Sequence, residues 1–228
     1  MTIKNKVISL LENAFGKSGK VLEVRAWNPA TFFEVDVHFP DMKMEKWDKV
    51  QHIKVRVAEG VYRDYTPACW DVETSTCTLF IDAQHEGIGS KWVSSLKKGD
   101  SIVYVGVGPT LHQPTTSGSM ISLGDMSSIG HYLALQQLAK EQPISGAIAI
   151  ANEHHRREFK EYLDWNIGAI AQQDFGGYSA LVNWVETNNL ATSTIYIAGH
   201  IPTCVQLRKR IKQMHTQPKR IKVQGFWQ

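Results

Sequence analysis

Apolar residues along the chain change their spacing twice. In the opening segment Ile3, Val7, Leu10, Leu11 and Ala14 share one helical face, which predicts a helix over 2–15. From 21 to 110 the period becomes two. Phe33, Val35, Val37 and Phe39 alternate with Glu34, Asp36 and His38, as a strand with one face in a core requires. Ile53, Val55 and Val57 repeat the pattern against Lys54 and Arg56, and further strands are expected at 78–82 and 101–107, the second following the turn Lys98-Gly99-Asp100. The polar run Gln113-Pro114-Thr115-Thr116-Ser117-Gly118 then interrupts the pattern. It predicts a domain boundary there, with one domain over 1–116 and another over 117–228.

Beyond the boundary, short apolar runs at 120–123, 147–151, 167–171, 195–198 and 221–223 are separated by helical segments. That alternation predicts a five-stranded parallel sheet with crossover helices. The last helix carries Cys204, Leu207, Ile211 and Met214 on one face, Arg208, Lys209 and Lys212 on the other, and Pro202 near its first turn. The expected fold class is therefore an antiparallel β-barrel followed by an α/β domain.

Composition narrows the setting. A chain of 228 residues can bury two small cores. The 25 basic and 22 acidic residues, net +3, are too balanced to mark a nucleic-acid or membrane surface. Neither a signal-peptide core nor a run of about 20 apolar residues occurs, so a cytoplasmic protein without membrane insertion is expected, as a monomer. Cys69, Cys77 and Cys204 lack a CxxC spacing and read as three reduced thiols, outside any disulfide framework or zinc site.

Three segments carry candidate chemistry. Arg63-Asp64-Tyr65-Thr66 falls at the end of a barrel strand, with Arg63 and Tyr65 on one face and Thr66 opposite. A guanidinium there can clamp a pyrophosphate, a phenol ring can stack on an isoalloxazine, and a threonine hydroxyl can bond near the hydride-accepting nitrogen; an exposed strand end with an ordinary ion pair fits the same four residues. His85-Glu86-Gly87-Ile88-Gly89-Ser90-Lys91-Trp92 places two glycines and Ser90 before a short helix predicted over 91–96. Such a turn either cradles phosphate or simply caps the helix, Ser90 serving in both cases. Gly124-Asp125-Met126-Ser127 follows a strand and opens a leucine-rich helix, where dinucleotides bind or where a plain turn suffices. It matches neither the GxGxxG nor the Walker pattern.

In this order the segments resemble the siderophore-interacting proteins, FAD-dependent ferric-siderophore reductases of the ferredoxin-reductase superfamily. The family's RxYT motif stands as Arg63, Tyr65 and Thr66, and its histidine and glycine-rich turn as His85 to Trp92. Its GD and GP landmarks stand as Gly99-Asp100 and Gly108-Pro109, and its terminal GYW as Gly225-Phe226-Trp227. Its GDET turn reads Gly124-Asp125-Met126-Ser127 and its AGE turn Ala198-Gly199-His200, so two family acids are replaced, by Met126 and His200.

The resemblance implies a six-stranded flavin-binding barrel and a nicotinamide-binding α/β domain. FAD would be held by Arg63, Tyr65, Thr66, His85, Gly87, Gly89, Ser90 and Trp92, with Trp227 either covering it or packing the C-terminal strand. Tyr65 and Thr66 would stand at the reacting ring. NADH or NADPH would bind at Gly124, Asp125, Ser127 and Gly199, with Arg156 and Arg157 near a 2′-phosphate or simply solvated. Electrons would pass to the Fe(III) of a siderophore, releasing Fe(II), with Lys54 of His52-Ile53-Lys54-Val55 drawing the anionic chelate in. Two other outcomes are compatible: a reductase feeding a ferredoxin or flavodoxin, and a flavin- or siderophore-binding module without turnover.

Overall fold

The computed structural model describes residues 16–215 and 217–228; the helix predicted over 2–15 lies outside them. The chain divides into two units, one running to Trp47 and resuming over Gln51–Pro109, the other formed by Asp48–Val50 and Thr110–Gln228.

The first unit is a seven-stranded antiparallel sheet. Its strands are β1 (Lys17–Trp27), β2 (Phe32–His38), β3 (Gln51–Ala58), β4 (Val61–Tyr65), β5 (Pro67–Asp71), β6 (Thr76–Asp82) and β7 (Ser101–Pro109), in the order β4-β3-β7-β1-β2-β6-β5. The two edge strands, β4 and β5, are separated in the chain by Thr66 alone. Pro67 has no amide hydrogen for a ladder and biases Thr66 toward extended backbone, so one run of chain pairs with β3 before the break and with β6 after it. Counted as a single bent strand, β4–β5 turns seven strands into the expected six and carries the sheet around on itself. The alternation in the sequence is realised: Phe33, Val35, Val37, Phe39, Ile53 and Val55 are buried in one core with Leu79, Ile81 and Tyr104. Helix α1 (Ile88–Ser95) adds buried Val93 to that core, with Trp92 and Leu96 packed beside it.

The second unit is a parallel sheet of β8 (Met120–Asp125), β9 (Ile144–Ile150), β10 (Ile167–Ala171), β11 (Thr194–His200) and β12 (Arg220–Trp227), in the order β10-β9-β8-β11-β12. Helices α2 (Ile129–Ala139), α3 (Glu153–Tyr162), α4 (Tyr178–Thr187) and α5 (Ile201–Lys212) connect them. β8 is buried throughout and β9 nearly so, which explains their continuous apolar runs. Cys204, Leu207 and Ile211 of α5 are buried as their spacing predicts. From β8 the chain builds outward through β9 to β10, then crosses to β11 on the other side of β8. The strand order therefore reverses between β8 and β11.

The chain enters the second unit at Thr110, ahead of the boundary expected at 116/117. The polar stretch is part of that unit because its main chain is used there: Gln113 O accepts from Tyr196 Oη at 2.8 Å and from Lys222 Nζ at 3.0 Å.

Candidate functional site

In the barrel, the ladder sets Arg63 opposite Val55 and Tyr65 opposite Ile53, both buried. Directly opposed residues share a face, so Arg63 and Tyr65 lie on the face of the β3–β4 pair that carries Val55 and Ile53. Lys54 sits opposite Asp64 on the other face, and their side chains, each half exposed, form an ion pair at 2.9 Å. Lys54 is thus a paired lysine on the face turned away from Arg63 and Tyr65.

The glycine turn meets the strand at this point. Trp92 of α1 stacks on Tyr65 with ring centroids 5.7 Å apart and planes 18° apart. A Cβ on Gly89 would stand 2.9 Å from the Tyr65 hydroxyl and 3.5 Å from Arg63 Cγ, whereas one on Gly87 would meet nothing within 4 Å. Arg63 is exposed, its Nη1 donating to Tyr62 O at 2.8 Å. Burial raises the Tyr65 phenol well above its ordinary range against the opposing charge of Arg63, so it stays a protonated donor.

Two local expectations are corrected. The helix predicted over 91–96 begins at Ile88, and its N-cap is Gly87, with no side chain capping it; Ser90 lies inside the first turn and its carbonyl accepts from Ser94 Oγ at 2.9 Å. The shift follows from extended backbone at Gly87, which lets Lys91 N reach Gly87 O at 3.1 Å as the first helical bond. The amides of Ile88, Gly89 and Ser90 have no partner within the helix. His85 is exposed, and its carbonyl accepts from Gly87 N at 2.7 Å. Thr66 is half-buried at the strand break.

In the α/β unit, Gly124, Asp125, Ser127 and Gly199 converge at the carboxyl ends of β8 and β11. Asp125 Oδ1 accepts from Ser127 N at 3.0 Å and from Ser127 Oγ at 2.5 Å, while Oδ2 accepts from His200 N at 2.7 Å. The carboxyl group therefore ties the two strand ends together where the strand order reverses. Burial pushes its pKa upward, and the three donated bonds pull the other way. Gly199 has φ +121°, and a Cβ there would lie 2.3 Å from Asp125 Oδ2; no other residue fits.

Met126 and His200, which stand for the two replaced acids, are both buried. His200 Nδ1 pairs with Thr203 Oγ1 at 2.9 Å, and its ring lies 4.5 Å from that of Trp227. Trp227 Nε1 donates to Ser127 Oγ at 3.2 Å.

The helix after β9 is closed at its start: Asn152 Oδ1 accepts from His154 N and His155 N, Arg156 Nη1 donates to Ile150 O and Ala151 O at 2.9 Å each, and Arg157 pairs with Glu153. His155 is buried and His154 exposed. Cys77 and Cys204 are buried and Cys69 exposed, all three as free thiols.

Two groupings escape sequence reading. Phe175 stands 68% exposed beside His200 and Trp227; its one signal is the Gly176-Gly177 pair that follows a strand. His112 and His131 form a buried pair, Nδ1 to Nε2 at 2.7 Å, across 19 positions with no motif to announce it. An open recess of about 390 Å³ beside β10, lined by Phe159, Lys160, Trp165 and Ile167 among others, includes none of the expected residues.

An antiparallel barrel followed by a parallel five-stranded sheet, in this connectivity, is the fold of the ferredoxin reductases and the siderophore-interacting proteins. A siderophore-interacting protein from Acinetobacter baumannii superposes with a TM-score of 0.72 over 93% of this chain and 90% of its own, at 14% identity. A siderophore utilization protein from T. fusca gives 0.72 over 93% and 92%, at 16% identity. The ferredoxin reductase of a carbazole 1,9a-dioxygenase gives 0.73 over 93% and 69%, at 18% identity, and is also described in an FAD apo form. No family model matches the sequence, and no curated protein does. The fold that the motif resemblance implies is thus the fold that these structures share with the chain. Among the described residues no helix is long and apolar enough to cross a membrane, and no cluster of three metal ligands occurs.

Proposed function

We propose that this chain is an FAD-dependent reductase that takes hydride from a nicotinamide dinucleotide and delivers electrons to the Fe(III) of a siderophore. The observation that carries the reading is the meeting of Arg63, Tyr65 and Gly89 at the uncapped start of α1. That donor set fits FAD: a guanidinium and three first-turn amides for the pyrophosphate, a bare glycine at 89 where a Cβ would intrude, and a neutral phenol beside them. Because Trp92 covers one face of Tyr65, a flavin ring would use the other. FAD, when bound, supplies the chemistry of accepting a hydride and releasing electrons singly. The residues would bind and orient it: Arg63 and the amides would hold phosphate, Tyr65 would pack the ring, and Thr66, at the strand break before Pro67, would offer a hydroxyl. The ferric chelate is substrate, and reduction weakens the grip of its hard oxygen ligands.

Several features of the second unit fit the donor's place. Gly124, Asp125, Ser127 and Gly199 lie where the strand order reverses, which is where open parallel sheets bind dinucleotides. Lys54 keeps a part in drawing the chelate only through a charge shared with Asp64, so its contribution is small. A second reading, a reductase serving a protein acceptor, is favoured by the ferredoxin reductase among the structural neighbours.

The test is a visible spectrum of purified protein reconstituted with FAD, followed anaerobically by NADH, NADPH and a ferric siderophore. Flavin bands that bleach with a nicotinamide and return with the chelate are the expected result. Bleached bands that return only with ferredoxin or flavodoxin would move the assignment to the second reading. Absence of FAD binding would remove both.

A further inference from the structure

The parallel sheet has two open edges, and they are built differently. At one, β12 carries Arg220 and Lys222, and its register with β11 shifts between Gly199 and His200. The barrel's edge strands are guarded in the same manner: β4 holds Arg63 and Asp64, and β5 starts at Pro67, ends at Asp71 and pairs irregularly with β6. Charges, prolines and bulges are how sheets keep another strand from adding to an edge. Among the described edge strands β10 alone has none of them. Ile167 to Ala171 pair with β9 in unbroken register, and from Asn166 to Gln173 the sequence holds no charge and no proline.

The ladder fixes which groups face outward. Gln172 N donates to Ile150 O at 3.1 Å on the β9 side. Main-chain groups alternate sides along a strand, so the N–H and C=O of Ile167, Ala169 and Ala171 point to the open edge. Little side-chain bulk shields them, because Gly168 and Ala171 are exposed and Ala169 is half-buried. The recess of about 390 Å³ lies at this edge, lined by Ile167, Ala169 and the rings of Phe159 and Trp165, which stack with centroids 5.9 Å apart. Exposed Lys160, Glu161 and Asp164 line it as well. Trp165 Nε1 is buried and has no acceptor among the described residues, and a buried N–H of that kind calls for one.

We propose that β10 is a self-association edge, to which a second copy of this chain adds its own β10 antiparallel across a two-fold axis. Two-fold pairing is the commonest way a chain meets itself, and this strand suits it. With the axis at Ala169, that residue faces its own counterpart, Gly168 faces Ile170, Ile167 faces Ala171 and Asn166 faces Gln172. Large residues meet small ones, amide meets amide, and no like charges are opposed. The outward groups of Ile167, Ala169 and Ala171 then exchange main-chain hydrogen bonds with those of the second copy. In the same register the second copy's Gln173 comes level with Trp165, where an amide oxygen can accept from the indole N–H. The recess carries a base, Lys160, between strand and acids, and a two-fold copy reverses that order, turning the base of each chain toward the acids of the other. A foreign strand would find the same main-chain groups, but the fit of large to small is to β10 itself. The pair replaces the monomer expected from the sequence, and nothing in it depends on the flavin.

The test is sedimentation equilibrium of the full chain over a range of concentrations, for wild type, Ala169→Lys, Ala169→Glu and an equal mixture of the two variants. The wild-type mass should rise with concentration from 25.7 kDa toward twice that value. Each variant alone should stay at the mass of one chain, because like charges then oppose each other at the axis. The mixture should recover the wild-type transition, which only a position facing itself can produce. Amide hydrogen exchange of wild type reads the edge without any substitution: Ile167, Ala169 and Ala171 should exchange more slowly as the associated fraction grows. A single-chain mass at every concentration overturns the proposal. So does a dimer that survives Ala169→Lys, or one lost in both variants that the mixture does not repair. Exchange at the three amides that ignores concentration overturns it as well.

Discussion

Gly89 shows what one missing methyl group leaves room for. A Cβ would push on the Tyr65 hydroxyl at 2.9 Å, yet the position is helical, where alanine is favoured over glycine by about 1 kcal/mol. Gly89→Ala should therefore leave the melting temperature equal or higher while FAD affinity drops about tenfold; flavin fluorescence titration beside a thermal melt checks both, and unchanged affinity would dissociate the turn from the flavin. Arg63→Ala should lose about 30- to 100-fold in FAD affinity, the scale of a charge-assisted bidentate contact, with the barrel still folded by circular dichroism. A full flavin complement in that variant would end its assignment to the phosphates. The buried histidines lie in the other unit and speak to stability. Burial, and then the charge of Lys222, lower His112 from 6.5 to about 3. The native imidazole stays neutral while the unfolded one protonates, so its contribution is complete above pH 6.5 and drains as pH falls toward 3. The urea midpoint should drop from pH 7 to pH 5, with a slope of up to about 1.4 kcal/mol per pH unit, and His112→Asn should flatten it. The same slope in the variant would place the titration elsewhere.

Elements explain where the motif residues come to lie. In the Arg63-Asp64-Tyr65-Thr66 run β4 ends where Pro67 begins β5, with Arg63 and Tyr65 facing α1 and Asp64 facing Lys54. The period of two already separated these faces. That α1 would arrive against them, with Trp92 on Tyr65, was not in the pattern, because it depends on Val93 finding the barrel core. In the second unit β8 and β11 end in a shared device: the Asp125 carboxyl bonds the amide of His200 while Gly199 leaves room for it. Gly199→Ala, which combines a left-handed φ with a 2.3 Å clash, should destabilise the protein by about 2–4 kcal/mol by chemical denaturation. A change below 0.5 kcal/mol would show that the strand ends can separate freely.

At the scale of the whole molecule, the barrel and the parallel sheet each have a core of their own. A ligand that binds only the folded state adds stability by mass action, about 2.7 kcal/mol at a hundred times its dissociation constant. FAD at that excess should raise the melting temperature of wild type and leave Arg63→Ala nearly unmoved; equal shifts would place the flavin away from Arg63. The sequence by itself determined the succession of an alternating β half and an α/β half, most strand positions, and the motif residues. Those features are written in local spacing, which backbone geometry converts directly into faces. Tertiary structure alone decided what depends on residues far apart in the chain. It set the seventh strand at Pro67, the start of α1 at Gly87, the pairing that occupies Lys54, the His112–His131 contact and the ring contacts among Phe175, His200 and Trp227. A ring's neighbours are chosen by packing across the fold, and period carries no record of them.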